Sequence, residues 1–536
     1  MNKNIIIITL LIGTFAYQTA QAQLPKKKLP VTKALSTRST SPASPKVFSN
    51  TKNNAVRTQI ASAMGMLKSG QYSQAANALL ALSRKSDAAA ERSQIKYFLG
   101  LSLMELNLNQ VAAFQFVDVI KSNDQRWTRQ ALEKLLVATD RLGDETLLNY
   151  AIQRIDVASV PQQNRDMLFF RLGEVKAKSG QHSEAAALYG KVGAKSRYYF
   201  SSLYNQGLAQ AEANQTDLAL ESFQKLLDSR SASKVTDTNK VAAQMAIART
   251  YYQKKEWEKS IDAYAKIPRD HPLWHDATFE KSWAMLRGAR LRSSLSNFQS
   301  LHSSFYENAY IPETLLLRAI VYLYICKYDE MEKVVGLFEA QYNPISNRID
   351  SFLNAKISSE SFFLEIQKIN ILRNDPESKK QLNLPYNVLK YISEEGNVRR
   401  SYSYIKKLAD EKKLIDENPV LRNSALGTYS IRIINNRIKA TKDAIGEMAR
   451  AQLTAMKKEI ADLKEQASFI RYEMINGKKE FLKKRLTGKS LADVQVDDEQ
   501  DRSFYVQNGY EYYPFQGEYW LDEVGNYHYL GKQSCE

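Results

Sequence analysis

The chain contains few of the residues that build catalytic and metal centres. Its 536 residues include two cysteines and five histidines. His271 and His275 have the four-residue spacing of a metal-binding pair on one helix, but Pro272 between them indicates a turn. No Gly-x-Ser-x-Gly nucleophile motif occurs, and a phosphate-binding loop at 486–490 would need a glycine where Lys483 stands. We therefore predict that the protein is not an enzyme and binds neither a cofactor nor a metal.

Long apolar runs are equally scarce. The run at the N-terminus, Ile5–Tyr17, is too short to cross a bilayer comfortably. Lys3 precedes it, and Ala20 and Ala22 form an A-x-A cleavage site after it, which is typical of a secretory signal peptide over residues 1–22. No cysteine follows the site, so the sequence predicts a periplasmic protein that is exported by a cleaved signal peptide and is not a lipoprotein. An uncleaved anchor is the alternative.

Acidic residues are outnumbered by basic ones, 58 against 75, which gives a formal net charge of +17. Residues 23–54 are rich in Pro, Ser, Thr and Lys and are predicted to form a disordered basic leader. Such a leader either contacts an anionic membrane or the cell wall through its charge, or is a solvated spacer. The sequence carries no nucleic-acid-binding motif, so we predict no nucleic-acid partner and favour anionic surfaces or acidic proteins.

A helix-turn-helix pattern recurs across residues 55–342 with a period of about 34 residues. A small residue such as Gly100 or Gly207 begins each copy, and an aromatic residue such as Phe116 or Phe223 follows sixteen positions later. The small residues of the copies are Ala63, Gly100, Gly173, Gly207, Ala248, Ser282 and Ala319. The gap between Gly100 and Gly173 leaves room for one degenerate copy within 136–155. We predict an all-α tetratricopeptide-type solenoid of about eight units, because one helical pair cannot bury its own apolar face.

The pattern changes after the repeats. Pro344 and the Asn-Asp-Pro of 374–376 interrupt an irregular helical region at 343–418. Residues 419–486 contain no proline after Pro419, and apolar residues recur at spacings of three and four from Ile431 to Met474. This predicts a long helix with a coiled-coil-like seam. The seam needs a partner, either a second copy of the chain by self-association or the preceding helices.

Residues 487–536 form an acidic tail that is dense in aromatic side chains. Apolar and polar residues alternate between Tyr510 and Tyr529, and Gly517 and Gly525 are turn residues, which together predict two short strands. An exposed aromatic strip would aggregate, so we expect the tail to dock on its own repeats or on another protein. The predicted docking residues are Tyr513, Phe515, Tyr519 and Trp520. Cys326, at the turn of the last repeat, and Cys535 either form a disulfide or stay unpaired thiols.

In this repeat type the first helix of each pair lines a groove. The side chains predicted to point into it are mostly apolar or aromatic, which favours binding of an amphipathic helix or an aromatic strip over a peptide carboxylate. They are Phe170, Glu174, Tyr204, Leu208, Met245, Arg249, Tyr252, Phe279, Trp283, Leu286, Leu316, Ile320 and Leu323. The alternative is that neighbouring repeats bury them.

Two stretches resemble a known family. Residues 311–319 with 326–329, and the ending 515–523 (Phe-Gln-Gly-Glu-Tyr-Trp-Leu-Asp-Glu), are similar to periplasmic tetratricopeptide proteins of the gliding-motility envelope machinery of myxobacteria and their predatory relatives. The resemblance implies a non-catalytic scaffold in an envelope-spanning complex, with other envelope proteins as partners. A periplasmic adaptor for secretion, outer-membrane assembly or cell-wall synthesis is the alternative.

Overall fold

The structure is a computed structural model that describes residues 50–122, 124–143, 146–152, 162–228, 237–355, 357–371, 379–486 and 518–528. The predicted signal peptide with Ala20 and Ala22, residues 23–49 of the predicted basic leader, and the tail residues Tyr513, Phe515 and Cys535 lie outside these ranges. Residues 50–54, predicted as the end of the disordered leader, instead begin the first helix, Asn50–Lys68. Within them, no helix is both long and apolar enough to span a bilayer.

Within the described residues, sixteen helices follow one another as eight first and eight second helices in alternation, as the repeat pattern predicts. The first helices of the pairs are α1 (Asn50–Lys68), α3 (Arg92–Glu105), α5 (Gln125–Leu142), α7 (Gln162–Lys178), α9 (Tyr199–Glu212), α11 (Asp237–Gln253), α13 (Trp274–Arg287) and α15 (Glu313–Tyr324). The second helices are α2 (Tyr72–Ser83), α4 (Asn109–Lys121), α6 (Thr146–Ile152), α8 (His182–Tyr189), α10 (Thr216–Asp228), α12 (Trp257–Ala265), α14 (Leu291–Leu301) and α16 (Tyr328–Asn354). The predicted all-α helical repeat solenoid is confirmed.

In the part of the chain that the structure describes, five further helices follow the repeats. They are α17 (Ser359–Ile371), α18 (Tyr386–Glu394), α19 (Gly396–Glu417), the single turn α20 (Pro419–Arg422) and the 62-residue α21 (Ala425–Leu486). Pro344 does not interrupt the chain as predicted, because it lies inside α16, which continues to Asn354. A proline in a helix removes one backbone hydrogen bond, and here the helix continues past it.

The small residue of each copy lets the two helices of a pair approach closely. A Cβ atom added to Gly100 would lie 2.6 Å from the ring of Phe116, and one added to Gly207 would lie 2.5 Å from the ring of Phe223. Both rings are fully buried. The sixteen-residue offset found in the sequence is therefore the contact that joins the first helix to the second.

The turn inside every pair has a residue with a left-handed backbone. These residues are Gly70, Asn107, Gly143, Gly180, Asn214, Lys255, Ala289 and Cys326, with φ between 56° and 79°. In the seven turns other than that of Gly143, the amide of the following residue donates to a carbonyl five residues earlier, as from Gln181 to Lys176 at 2.9 Å, which is the Schellman ending of a helix. Gly143 marks the degenerate copy that the sequence placed near residue 136.

The described residues form two compact units. Unit 1 draws on residues 1–144, 349–384 and 392–458. In it, helix α19 packs on the second helix of a repeat. The carboxyl of Glu411 accepts a hydrogen bond of 2.9 Å from the backbone N–H of Gln110 at the start of α4, and the hydroxyl of Tyr404 donates to the Gln110 side chain. Burial raises the pKa of Glu411 to about 8, although its backbone hydrogen bonds act in the opposite direction.

Unit 2 draws on residues 145–348, 385–391 and 459–536. The last part of α21 lies along α16 in this unit. Arg471 pairs with Glu339 at 2.6 Å and with Glu332 at 3.2 Å, and Lys478 pairs with Asp329 at 2.8 Å. These ion pairs join the two helices.

The apolar seam of α21 is buried within the chain. Its buried members are Ile434, Ile445, Ala449, Leu453, Met456, Ile460, Leu463, Ala467, Ile470 and Met474. Of the two partners predicted for the seam, the chain's own helices cover it, so the same side chains are not available to a second copy.

The tail residues 518–528 contain a turn at 521–525 and no strand, so the predicted strands are absent from this described part. The N–H of Val524 bonds to the carbonyl of Trp520 at 3.2 Å, and Gly525 has a left-handed φ of 94°. Other backbone groups of the turn bond to side chains of the repeats. They cannot also serve a strand ladder, which requires backbone partners on a neighbouring strand.

Candidate interaction surface

The predicted lining residues lie on the first helices α7, α9, α11, α13 and α15 of unit 2. Three of them are buried and cannot contact a partner in this conformation: Phe170, Met245 and Leu316. Phe170 stacks on Tyr198 with ring centroids 5.3 Å apart, and Tyr198 belongs to the loop before the next repeat. A loop between repeats can therefore cover a residue that was predicted to line the groove. The spacing of residues within a helix does not show which of them a loop covers.

The other ten lining residues keep some exposure to solvent. Leu208 on α9 is 38% exposed, a high fraction for an aliphatic side chain in the middle of a helix. Tyr204, Tyr252, Phe279, Trp283, Leu286, Ile320 and Leu323 are half-buried. We name these eight residues the first-helix face.

Charged residues beside the first-helix face are held in fixed pairs. The guanidinium of Arg249 makes two hydrogen bonds to the carboxylate of Glu280, at 2.8 and 2.6 Å. The Tyr264 hydroxyl donates to the same carboxylate at 2.7 Å. Arg171 pairs with Glu174 at 2.8 Å. Carboxylates of this chain already form ion pairs with these arginines. The surface is therefore poorly suited to bind a free peptide carboxylate.

Two aromatic residues of the face have their polar atoms engaged. Trp283 hydrogen-bonds to Glu313, and burial together with the nearby charge of Glu459 raises the pKa of Glu313 to about 7. Tyr252 hydrogen-bonds to Arg287, and its ring lies edge-on to Trp257 with centroids 5.1 Å apart. Fixed rings of this kind offer apolar contact area at little further cost in side-chain entropy.

The described part of the tail lies against other residues of unit 2. Arg269 donates to the carbonyl oxygens of Leu521 and of Asp522, the latter at 2.8 Å. The N–H of Gly525 donates to the hydroxyl of Ser300 at 2.8 Å, and a Cβ atom at Gly525 would lie 2.9 Å from the ring of Trp274. Sequence reasoning missed these contacts, because hydrogen bonds to backbone carbonyls leave no signal in residue type.

The predicted docking residues of the tail differ in their surroundings. Tyr519 is half-buried, and this burial raises the pKa of its hydroxyl, although the charge of Arg318 acts in the opposite direction. Trp520 is 61% exposed and the adjacent Leu521 is 66% exposed. Val524, which was not predicted, is the buried apolar side chain of the turn.

Cys326 is disulfide-bonded in the structure, and its left-handed turn position is the one predicted from the repeats. Since Cys535 lies outside the described residues, the pairing of these two cysteines stays a prediction.

The two histidines considered from the sequence as a metal-binding pair make other contacts in the structure. The Nδ1 atom of His271 accepts a hydrogen bond from the N–H of Leu273 at 3.1 Å, and His275 packs on Tyr306 with ring centroids 4.4 Å apart. Across the ranges that the structure describes, no three His, Cys, Asp or Glu side chains come together as a metal ion would need.

Comparison with known proteins identifies the repeats. The family model of the tetratricopeptide repeat matches residues 62–126 and 204–273. The first range contains α2, α3 and α4, and the second contains α10, α11 and α12. These parts of the chain are therefore tetratricopeptide repeats, a type of module that typically mediates protein–protein interaction.

Solved structures similar to this chain include a tetratricopeptide repeat protein. A tetratricopeptide repeat protein from Parabacteroides merdae is 14% identical, with 54% of this chain and 93% of that chain covered and a TM-score of 0.24. The apo form of the quorum sensor NprR from B. thuringiensis is 11% identical, with 72% and 99% covered and a TM-score of 0.29. A Rap protein complexed with Competence and Sporulation Factor is 11% identical, with 74% and 99% covered and a TM-score of 0.28. Likenesses this distant carry no information on partners. No curated protein matches the chain.

Proposed function

We propose that this protein is a non-catalytic scaffold that binds another protein on the first-helix face of unit 2. The observation that carries the proposal is the accessible apolar surface of that face, with Leu208 38% exposed and the rings of Tyr252 and Trp283 half-exposed and fixed. Binding energy at protein interfaces concentrates in aromatic and aliphatic side chains that a partner can desolvate.

The chemistry of the face indicates what kind of partner segment it takes. Its ring faces and aliphatic side chains are available, whereas Arg249 and Arg171 are paired with Glu280 and Glu174. An amphipathic helix or an aromatic strip fits this surface better than a C-terminal carboxylate, because it would not compete with existing ion pairs.

We place this scaffold in the periplasm, within an envelope-spanning complex of the gliding-motility type. The signal-like residues 1–22, the net charge of +17 and the resemblance of residues 515–523 support this setting. The disulfide of Cys326 also supports it, since disulfides persist in oxidising compartments such as the periplasm. The basic leader at 23–54 would then contact anionic membrane or cell wall.

A second function uses the same surface. A periplasmic adaptor for secretion, outer-membrane assembly or cell-wall synthesis would also need export and a protein-binding face. Cell fractionation followed by crosslinking and mass spectrometry separates the two. Crosslinks from α9, α11 or α13 to components of a motility complex support the first function, and crosslinks to secretion or cell-wall proteins support the second. A cytoplasmic location of the full chain would contradict both.

A further inference from the structure

A cleft of about 250 Å³ opens in unit 2, and no residue of the first-helix face lines it. It lies between the loop 303–311, helix α15 and helix α16. Apolar and aromatic side chains form part of its lining: Leu301, Ile311, Leu315, Leu337 and Tyr342. Glu307 and Gln341 also line it, and both are exposed to solvent. The volume far exceeds the roughly 30 Å³ of one water molecule, and it is below the roughly 300–1,000 Å³ of pockets for drug-sized ligands. A single side chain is the size of group that fits.

The imidazole of His302 forms part of the cleft wall and is fully hydrogen-bonded. The hydroxyl of Thr314 donates to the carbonyl of Ile311 at 2.9 Å, so it accepts from Nε2–H of His302, also at 2.9 Å. The Nδ1 atom of His302 then accepts from Arg318 at 3.2 Å. Burial and the charge of Arg318 lower the pKa of His302 to about 3, so this wall is uncharged at neutral pH.

The hydroxyl of Ser303 is the polar atom of the cleft that the protein leaves unused. Ser303 is 2% exposed, and its Oγ atom has no hydrogen-bond partner. The residue stands at the N-cap position of the short 3-10 helix Ser304–Tyr306, where a serine usually bonds to a backbone N–H, yet it makes no such bond. A buried hydroxyl without a partner is costly, so Ser303 is available to a group that enters the cleft.

We propose that this cleft binds a tyrosine side chain presented by a partner protein. Its apolar walls take the ring, and the Ser303 hydroxyl bonds to the phenolic oxygen. An uncharged ring with one hydrogen-bonding atom at its end matches apolar walls beside one buried, unused hydroxyl. Glu307 also lines the cleft, but it is exposed to solvent, so its charge is not buried with the ring. A charged side chain buried beside Ser303 would need an opposite charge or several hydrogen bonds, and one hydroxyl supplies neither.

The test uses the full-length protein and two small probes that differ by one hydroxyl, p-cresol and toluene. Binding of each is measured by NMR titration. In the wild-type protein we expect p-cresol to bind about fivefold more tightly than toluene, the factor that one net hydrogen bond supplies. Ser303→Ala should remove this preference and leave toluene binding unchanged. Equal binding of the two probes to the wild-type protein, or a preference that Ser303→Ala retains, would overturn the proposal.

Two further variants establish where the probes bind. Leu337 lines the cleft and is 50% exposed, so Leu337→Asp should weaken both probes without unfolding the chain. Leu218 on α10 is 47% exposed and is not a cleft residue, so Leu218→Asp is the matched control and should leave both unchanged. If Leu337→Asp leaves the affinity for both probes unchanged, the probes do not bind in this cleft.

A capped Gly-Tyr-Gly peptide distinguishes a protein partner from a free phenol. We expect the peptide to bind at least as tightly as p-cresol and to compete with it, because the mouth of the cleft must admit the peptide backbone. Failure of the peptide to bind, while p-cresol binds, would contradict the assignment to a partner protein.

Discussion

Replacing Gly207 by alanine probes the contact that joins the two helices of a repeat. The new Cβ atom would lie 2.5 Å from the ring of Phe223, closer than folded proteins tolerate, and that ring is fully buried. Overpacking of a core costs about 1–3 kcal/mol, whereas alanine in place of glycine inside a helix gains about 1 kcal/mol. We therefore expect Gly207→Ala to lower the free energy of unfolding by about 1 kcal/mol.

The repeat that follows shows why the loss of stability expected for Gly207→Ala is moderate. The next repeat has Ala248 at the same position, and its aromatic partner Tyr264 is also buried. A helix pair can thus be built around alanine if its helices lie slightly further apart. In the Gly207 pair the helices would have to move, and the burial of Phe223 resists that movement.

Gly65 provides the matched control. It lies inside helix α1 on an exposed surface, and a Cβ atom there would meet nothing within 4 Å. Gly65→Ala should therefore raise the free energy of unfolding by about 0.4–1 kcal/mol. Urea unfolding followed by far-ultraviolet circular dichroism measures both variants, and Phe223→Leu in the Gly207→Ala protein should recover part of the loss. If the two alanine variants shift the midpoint by the same amount in the same direction, the reasoning is refuted.

Three other predictions follow from the turns, the buried carboxyl of unit 1 and the tail. Ala289→Gly should stabilise the protein by about 0.5–1 kcal/mol in thermal unfolding, because alanine is strained at its left-handed φ of 58°; a lower melting temperature would contradict this. The pKa of Glu411 in the folded state, about 8, is above its ordinary value of 4.5. Its contribution to the free energy of unfolding is therefore fully present below about pH 4.5 and is lost as the pH rises through about 8. Glu411→Gln should reduce this decline of the free energy of unfolding with pH, as measured in unfolding titrations. If the dependence on pH is unchanged, Glu411 is not its cause. Non-reducing mass mapping should find Cys326 joined to Cys535, and removal of Phe504–Glu536 should lower the melting temperature of the repeats; freely labelled thiols and unchanged melting would instead indicate a tail that serves another protein.

The sequence predicted the features that depend on contacts within one repeat. The sixteen-residue offset between Gly100 and Phe116 is local, and so is the left-handed turn at Gly180, because both are set by the geometry of one helical pair. The burial of Phe170 depends on Tyr198, and periodicity within a helix does not show which loop residue will cover it.

Contacts between segments far apart in the sequence were harder to predict. In the described turn, the tail contacts the repeats through hydrogen bonds from Arg269 to two carbonyl oxygens and through the contact of Gly525 with Trp274. Neither depends on the charge of a tail side chain. The sequence did not show whether a second copy of the chain or its own helices cover the apolar seam of α21. An apolar stripe shows that it must be buried, but it does not show which surface buries it.

The most direct test of the central claim compares two leucines of one repeat. Leu208 lies on the first-helix face of α9, and Leu218 lies on the second helix α10, and they are 38% and 47% exposed. Each is replaced by aspartate in the full-length protein, and in-cell crosslinking with quantitative mass spectrometry measures the partner proteins. Leu208→Asp should remove crosslinks from α9, α11 and α13 to a partner while the helical circular dichroism stays unchanged, and Leu218→Asp should leave those crosslinks intact. Equal crosslinking of both variants, or loss in the Leu218 variant alone, would contradict binding on the first-helix face.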